Sequence, residues 1–235
     1  MTEADLQALT ECVAGADQVV TNPQVVQRLS RDFYWYSPVL KKLLDDKVAE
    51  AVVQPTSTDE VVKVLACCYA RKIPVTARGA GTGNYGQAIP LEGGVVLDLA
   101  RMDAIHEITA DGVAVTGPGT RLSVLEGAAR EAEWELRCYP STVVKASVGG
   151  FLGGGSGGIG SVSHGGLRDF DTVRAMEVVT MEWVGSALRI WTLMRSAPSS
   201  APLPAHGGAG SSLRSRRGRD GQHRRRLRPW CRRSR

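Results

Sequence analysis

The chain has 235 residues, enough for one or two domains with a real core, and a formal charge of +5. The charge is uneven: thirteen arginines and one acid, Asp220, lie from residue 183 onward, so that stretch carries +12, while residues 1–182 carry −7 from 16 basic and 23 acidic groups. The body reads as an ordinary acidic soluble domain, and the basicity of the tail implies nothing about what the body binds.

Five cysteines (Cys12, Cys67, Cys68, Cys138, Cys231) form an odd set without framework spacing or a CxxC pair. That pattern predicts free thiols in a reducing compartment. Cys67 and Cys68 are adjacent on a predicted helix, where a disulfide would be strained. The N-terminus, Met-Thr-Glu-Ala-Asp-Leu, carries acids where a signal peptide has a basic region, and no apolar run approaches transmembrane length. The expectation is a cytoplasmic protein.

In chain order, Leu6, Leu9 and Val13 predict a short amphipathic helix over residues 3–15. Asn22-Pro23 supplies an N-cap and a first-turn proline for a second helix through Leu29. The aromatic run Asp32–Ser37 predicts core packing of an N-terminal helical arm, residues 1–44. Glu50–Val53 is a short strand. Ser57 and Glu60 form a capping box for a helix Thr58–Arg71 whose inner face is Val61, Val62, Leu65 and Tyr69. Pro74–Ala77 is a strand, and it leads into Arg78-Gly79-Ala80-Gly81-Thr82-Gly83-Asn84-Tyr85-Gly86. Glycine lets the backbone turn its N–H groups toward an anion, and arginine offers a planar cationic fork. This loop is therefore the candidate cradle for a diphosphate.

Val95–Leu99 is a near-continuous apolar run and predicts a buried strand. Ile105–Thr109 and Val113–Thr116 flank Ala110-Asp111-Gly112, a hairpin signal that ends at Gly117-Pro118-Gly119. Thr120–Glu133 is a helix facing inward through Leu122, Leu125 and Ala129, and Trp134–Cys138 is a further strand. A loop at Tyr139–Thr142 precedes a second glycine tract from Ser147, with eight glycines between 149 and 160, too many for an ordinary packed element. Structure is expected to resume at Thr172–Thr180, read as a strand, so the tract is not a linker between zones.

After Glu182 the sequence turns to Arg, Ser, Pro, Ala and Gly, without lysine or a sustained period. Such a segment does not bury enough apolar surface to offset its ordering entropy, so residues 183–235 are expected to be disordered. It reads either as a nucleic-acid tail or, preferred here, as a sequence translated out of frame, because arginine without lysine is what GC-rich coding yields in a shifted frame. Comparing the three frames of the encoding DNA separates the two.

The pattern GxGxxG occurs at Gly81-Gly83-Gly86, Gly153-Gly155-Gly158 and Gly155-Gly157-Gly160. A dinucleotide fold needs it to open a helix, and residues 87–94 after the first copy hold Pro90 and two glycines. A Walker loop needs Gly-Lys-Ser/Thr, and Gln87-Ala88 follow Gly86. What remains is an anion loop between strands, with the second tract closing over the same ligand.

The ordered series Val53-x-Pro55-x-Ser57-x-x-Glu60-Val61, Ile73-Pro74-Val75, Arg78-Gly79-Ala80-Gly81-Thr82, Gly94–Leu99, Gly117-Pro118-Gly119, Pro140-Ser141, Ser147-Val148-Gly149-Gly150 and Gly165 resembles the FAD-binding domain of the vanillyl-alcohol oxidase / p-cresol methylhydroxylase superfamily. Its glycolate oxidase and D-lactate dehydrogenase branch is the nearest likeness, over roughly residues 45–182. The resemblance implies an α+β, two-lobed domain: a small parallel-sheet lobe and a larger, mainly antiparallel sheet with helices, incomplete at the C-terminus. It implies FAD diphosphate binding at Arg78, Gly79, Ala80, Gly81, Thr82 and Gly83. It further implies flavin and ribityl contacts at Pro140, Ser141, Ser147, Gly149, Gly150, Gly157 and Ile159. Some members attach FAD covalently through a His where this chain has Thr82, so non-covalent FAD is expected.

The second tract is richer in glycine than the family pattern, and His164-Gly165 stands where many relatives have Tyr-Gly. The family domain should continue past residue 182 into a separate substrate domain, and neither is recognisable. His164 and His106 are assigned structural roles, as are Arg168 and Asp169, and no cluster has metal-ligand spacing. The resemblance implies an FAD-linked oxidoreductase, or its N-terminal part, acting on a small 2-hydroxy acid or related alcohol with an unassigned electron acceptor. A catalytically inactive flavin-binding fragment is the alternative, and nucleic-acid binding through the tail is the third reading.

Overall fold

The computed structural model describes residues 1–155, 157–167 and 172–181 and the backbone of 193–198, all within one compact unit, Met1–Leu203. The first lobe contains helix α1 (Glu3–Glu11), strand β1 (Val19–Val20), helices α2 (Pro23–Leu29) and α3 (Pro38–Leu44), strand β2 (Ala51–Val53), helix α4 (Thr58–Arg71), and strands β3 (Val75–Arg78) and β4 (Val95–Asp98). Its sheet runs β1-β2-β4-β3, with β2, β4 and β3 parallel and β1 antiparallel at one edge. The apolar run at β4 has no polar alternation because both faces of the sheet are covered. Val53, Val95 and Leu97 pack against α1 and α4 through Leu9, Val61, Val64, Leu65 and Cys68. Val52 and Val96 point the other way, to Val26 of α2 and Ala49.

The N-terminal segment expected as an arm is thus woven into this lobe: β1 extends the sheet, and Leu9 is fully buried in its core. Glu60 holds the join. It accepts the Ala14 N–H at 2.9 Å, Gln18 Nε2 at 2.9 Å and the Thr56 N–H at 2.6 Å. Ser57 caps α4 as expected, with its hydroxyl accepting the Glu60 N–H, but Glu60 reaches Thr56 rather than closing the box. The inner face of α4 is Val61, Val64, Leu65 and Cys68, one position round from the expected stripe, and Tyr69 is exposed.

The second lobe holds strands β5 (Ile105–Ile108) and β6 (Val113–Thr116), helix α5 (Leu122–Glu131), strand β7 (Trp134–Leu136), helices α6 (Val148–Gly154) and α7 (Ser161–His164), and strand β8 (Leu193–Pro198). Its antiparallel sheet runs β5-β6-β8-β7. The β5–β6 hairpin turns at Gly112, whose φ of +76° sits in the region only glycine enters freely. Leu122, Leu125 and Ala129 of α5 face the core as the spacing predicts, together with Leu136, Val148 and Phe151. This is the expected α+β pair of sheets.

Four further expectations change. The second glycine tract forms a packed element after all: Ser147 caps α6, and Val148 and Phe151 anchor that helix despite its glycines. Residues 172–180 make no strand, only bridge positions at Val173 and Val178. Strand β8 lies inside the stretch expected to be disordered, and the rest of 182–235 is outside the described residues, as are Arg168 and Asp169. Of the aromatic run, Tyr34 alone enters the core, donating to the Asp45 carboxylate at 2.9 Å, while Trp35 and Tyr36 stack on each other at the surface.

Candidate functional site

β3 carries Arg78 into the first glycine loop on the edge of the small sheet. At Gly79 a Cβ would overlap Ser147 Oγ and lie 3.3 Å from Gly150 Cα. The two glycine tracts, 68 residues apart from Gly79 to Ser147, therefore touch backbone to backbone. Gly149 donates its N–H to the Pro118 carbonyl at 2.8 Å, which brings the Gly117-Pro118-Gly119 turn into the same junction. Of the residues expected in the site, Gly79, Ser147, Gly149 and Gly150 meet here.

Gly81 has a φ of +63° and stands directly over the Arg78 guanidinium. The N–H groups of Ala80, Gly81 and Thr82 have no hydrogen-bond partner among the described residues. Gly83 is tied down by its carbonyl, which accepts the Phe33 N–H at 2.8 Å. Arg78 was expected to offer its fork outward. Instead it is 8% exposed and Nη1 donates to the Arg31 carbonyl at 2.6 Å. Burial pulls its guanidinium below the ordinary arginine value, against the neighbouring Asp98 and Asp32 charges, which act to raise it.

Beside Ala80, Gly81 and Thr82 opens a cavity of about 530 Å³. Its other walls include Arg78, Arg28, Arg31, Asp32, Phe33 and Trp35, the last five from α2 and the segment after it, and Lys145. Arg31 Nε and Asp32 Oδ2 are buried and lack a hydrogen-bond partner among the described residues. Sequence reasoning missed all of these. The available signal is the close spacing of Arg28 and Arg31 to the aromatic run Asp32–Ser37, which the sequence alone assigns to core packing.

Pro140, Ser141, Gly157 and Ile159 gather elsewhere, around a bridge in which Tyr139 and Ile159 exchange hydrogen bonds of 3.1 and 2.8 Å. The turn after them, closed by the Ala146 N–H on the Thr142 carbonyl at 2.8 Å, leads back to Lys145 and buried Ser147. Ile159 is exposed. His164 ends α7 with its N–H on the Gly160 carbonyl, and His106 lies exposed on β5. Among the described residues no group of acidic, His or Cys side chains has the makings of a metal site, and no helix is long and apolar enough to cross a membrane.

Comparison with known proteins gives the chain its family. The chain is 38% identical over 132 residues to a D-lactate dehydrogenase of Anaerostipes hadrus, covering 55% of this chain and 27% of that protein. It is 32% identical over 131 residues to a glycolate oxidase subunit of Bacillus subtilis, covering 55% and 27%. It is 27% identical over 198 residues to the mitochondrial D-2-hydroxyglutarate dehydrogenase of Rattus norvegicus, covering 83% and 34%. The chain thus spans about a quarter to a third of the length of these relatives. An alkyldihydroxyacetonephosphate synthase structure shares the fold with a TM-score of 0.72 at 16% identity, over 84% of this chain and 44% of that one. A family model described as an FAD binding domain matches residues 49–189, more than half of the chain and both glycine tracts, so the chain belongs to that FAD-binding family.

Proposed function

We propose that this chain is the FAD-holding part of an oxidoreductase that converts a small 2-hydroxy acid to its 2-oxo acid. The observation that carries this reading is the closure of Gly79 on Ser147 and Gly150 within the span of the family match. The junction fits the cofactor's diphosphate. The unpartnered N–H groups of Ala80, Gly81 and Thr82 suit phosphate oxygens, and the cavity beside them is lined by more cations than acids. No side chain at position 82 has the imidazole needed for a covalent histidyl link, so the cofactor is held non-covalently.

When bound, FAD supplies the acceptor for the two electrons removed from the alcohol carbon. The protein's part is to bind and orient. The Arg78–Gly83 loop fixes the diphosphate end. Buried Ser147 and the close-packed Gly149–Gly150 backbone exclude water where the second tract comes in. Pro140, Ser141, Gly157 and Ile159, along the adjoining bridge, line the path of the ribityl chain. The substrate class rests on the relatives named for D-lactate, glycolate and D-2-hydroxyglutarate, and a cytoplasmic location agrees with the free thiols of Cys12, Cys67, Cys68 and Cys138.

The test is reconstitution of the purified chain with FAD, followed by dye reduction with D-lactate, glycolate and D-2-hydroxyglutarate in turn. Retained flavin with dye reduction by one of these acids supports the whole reading. Retained flavin without turnover restricts the chain to holding FAD. A chain that passes through desalting colourless contradicts the proposal.

A further inference from the structure

We propose that the segment from Arg28 to Trp35 is the second wall of the diphosphate site, with Arg31 and Lys145 meeting the phosphates and Arg78 bracing them from behind. The inference rests on the FAD reading above and assigns roles that the glycine motifs do not contain.

Three observations carry it. Arg78, the arginine of the motif, is a buried part of the same cavity's lining, and it donates to the Arg31 carbonyl at 2.6 Å. That bond fixes the backbone of Arg31, whose buried Nε has no hydrogen-bond partner among the described residues. Arg31 Nη2 reaches the Asp45 carbonyl only at 3.4 Å, so the fork keeps most of its bonding capacity. Arg31 lines the 530 Å³ cavity, and the donors of its fork that remain free suit an anionic oxygen there. Lys145 borders the same cavity from the turn that ends at Ser147, so a cation from the second lobe faces the loop of the first.

Asp32 gives the site its polarity. Oδ1 accepts the Tyr34 N–H at 2.8 Å, whereas Oδ2 is buried and unpartnered among the described residues. Its carboxylate repels any anion in the cavity, and the cations Arg28, Arg31 and Lys145 in the same lining outnumber it. A ligand that brings phosphate oxygens to Arg31 and Lys145, such as the ADP half of FAD, suits this lining. The Phe33 N–H on the Gly83 carbonyl locks this wall to the loop, so both sides of the site are positioned before the ligand arrives.

The experiment titrates the full chain and its Arg31→Ala, Arg31→Lys and Lys145→Ala variants with FAD, by flavin fluorescence at low and high salt, and with ADP as competitor. Arg31→Ala should weaken FAD and ADP about tenfold or more, because a hydrogen-bonded charge is removed. Arg31→Lys should stay weak, since lysine keeps the charge and loses the fork. Lys145→Ala should weaken binding about threefold and flatten its salt dependence, as expected of an exposed cation. Melting of the ligand-free variants separates a binding role from a folding role. If Arg31→Ala does not fold, Arg31→Lys and Lys145→Ala decide. FAD affinity equal to the parent chain in both of those variants overturns the inference and leaves the FAD reading standing. A parent chain that binds ADP and FAD not at all overturns both.

Discussion

A single methyl group at position 79 should force the two glycine tracts apart. Gly79 does not use a left-handed φ, so alanine suits its backbone and the cost arises from contact alone. The new Cβ overlaps Ser147 Oγ and meets Gly150 Cα at 3.3 Å and Gly150 N at 3.4 Å. Rotating Ser147 away breaks its cap on the Gly150 N–H, now 3.3 Å, at a cost of about 1 kcal/mol. The Gly150 backbone has no rotamer to escape through, and overpacking there costs about 1–3 kcal/mol. The sum is about 2–4 kcal/mol, or a fall in Tm of roughly 5–15 °C for a domain of this size. In a Ser147→Ala background the oxygen and the cap are already absent, so the same Gly79→Ala change should cost about 1 kcal/mol less, about 1–3 kcal/mol. Gly153→Ala is the control, since nothing lies within 4 Å of a Cβ there and a helical glycine replaced by alanine gains about 1 kcal/mol. Calorimetry on the four proteins gives the cycle, and flavin fluorescence gives FAD affinity. Equal costs of Gly79→Ala in both backgrounds, or unchanged Tm and FAD affinity, would refute the packing described for this junction.

Glu60 should be a stability hot spot far from the site. Burial raises its carboxyl, yet hydrogen bonds from Thr56, Ala14 and Gln18 outweigh that and hold it below the ordinary value. Glu60→Ala strands the Ala14 and Thr56 N–H groups and should cost about 3–5 kcal/mol by urea unfolding. A depressed folded value means this contribution is present at neutral pH and lost as pH falls through the acid range below 4.5, so the variant's deficit should shrink there. Buried Cys68 and half-buried Cys12 act at the other extreme. Burial pushes Cys68 up to about 12, and burial together with Cys67 pushes Cys12 up to about 11. Both raised values stabilise the fold below the ordinary thiol value of 9.0 and lose that stabilisation as pH climbs past it. Iodoacetamide at mildly alkaline pH should therefore spare Cys12 and Cys68 in the native protein and modify both in denaturant, as read by peptide mass mapping.

Local patterns made much of the fold legible. Leu122, Leu125 and Ala129 gave the inner face of α5 by spacing, Ala110-Asp111-Gly112 gave the hairpin, and Asn22-Pro23 gave the start of α2. Each of these signals lies within a few residues of the element it specifies. Helix α6 escaped because glycine disfavours helices intrinsically, and only the burial of Val148 and Phe151 and the Ser147 cap overrule that preference. The glycine loop was legible as a loop that follows β3, but the direction of Arg78 was not. Its partner, the Arg31 carbonyl, lies 47 positions away in sequence, and a carbonyl leaves no trace in residue identity. The cavity wall from α2 was hidden for the same reason, because Arg28, Arg31 and Trp35 gain meaning only once β1 and Phe33 fold the segment back onto the loop.

Everything rests on whether the closed junction at Gly79, Ser147 and Gly150 holds FAD. The direct measurement is an equilibrium titration of the full chain with FAD, FMN and riboflavin, followed by acid precipitation of the FAD complex. The predicted result is saturable FAD binding, much weaker binding of FMN and riboflavin because they lack the ADP half, and release of all the flavin into the acid supernatant. Binding that does not distinguish FAD from riboflavin, or no flavin binding at any ratio, would contradict the account.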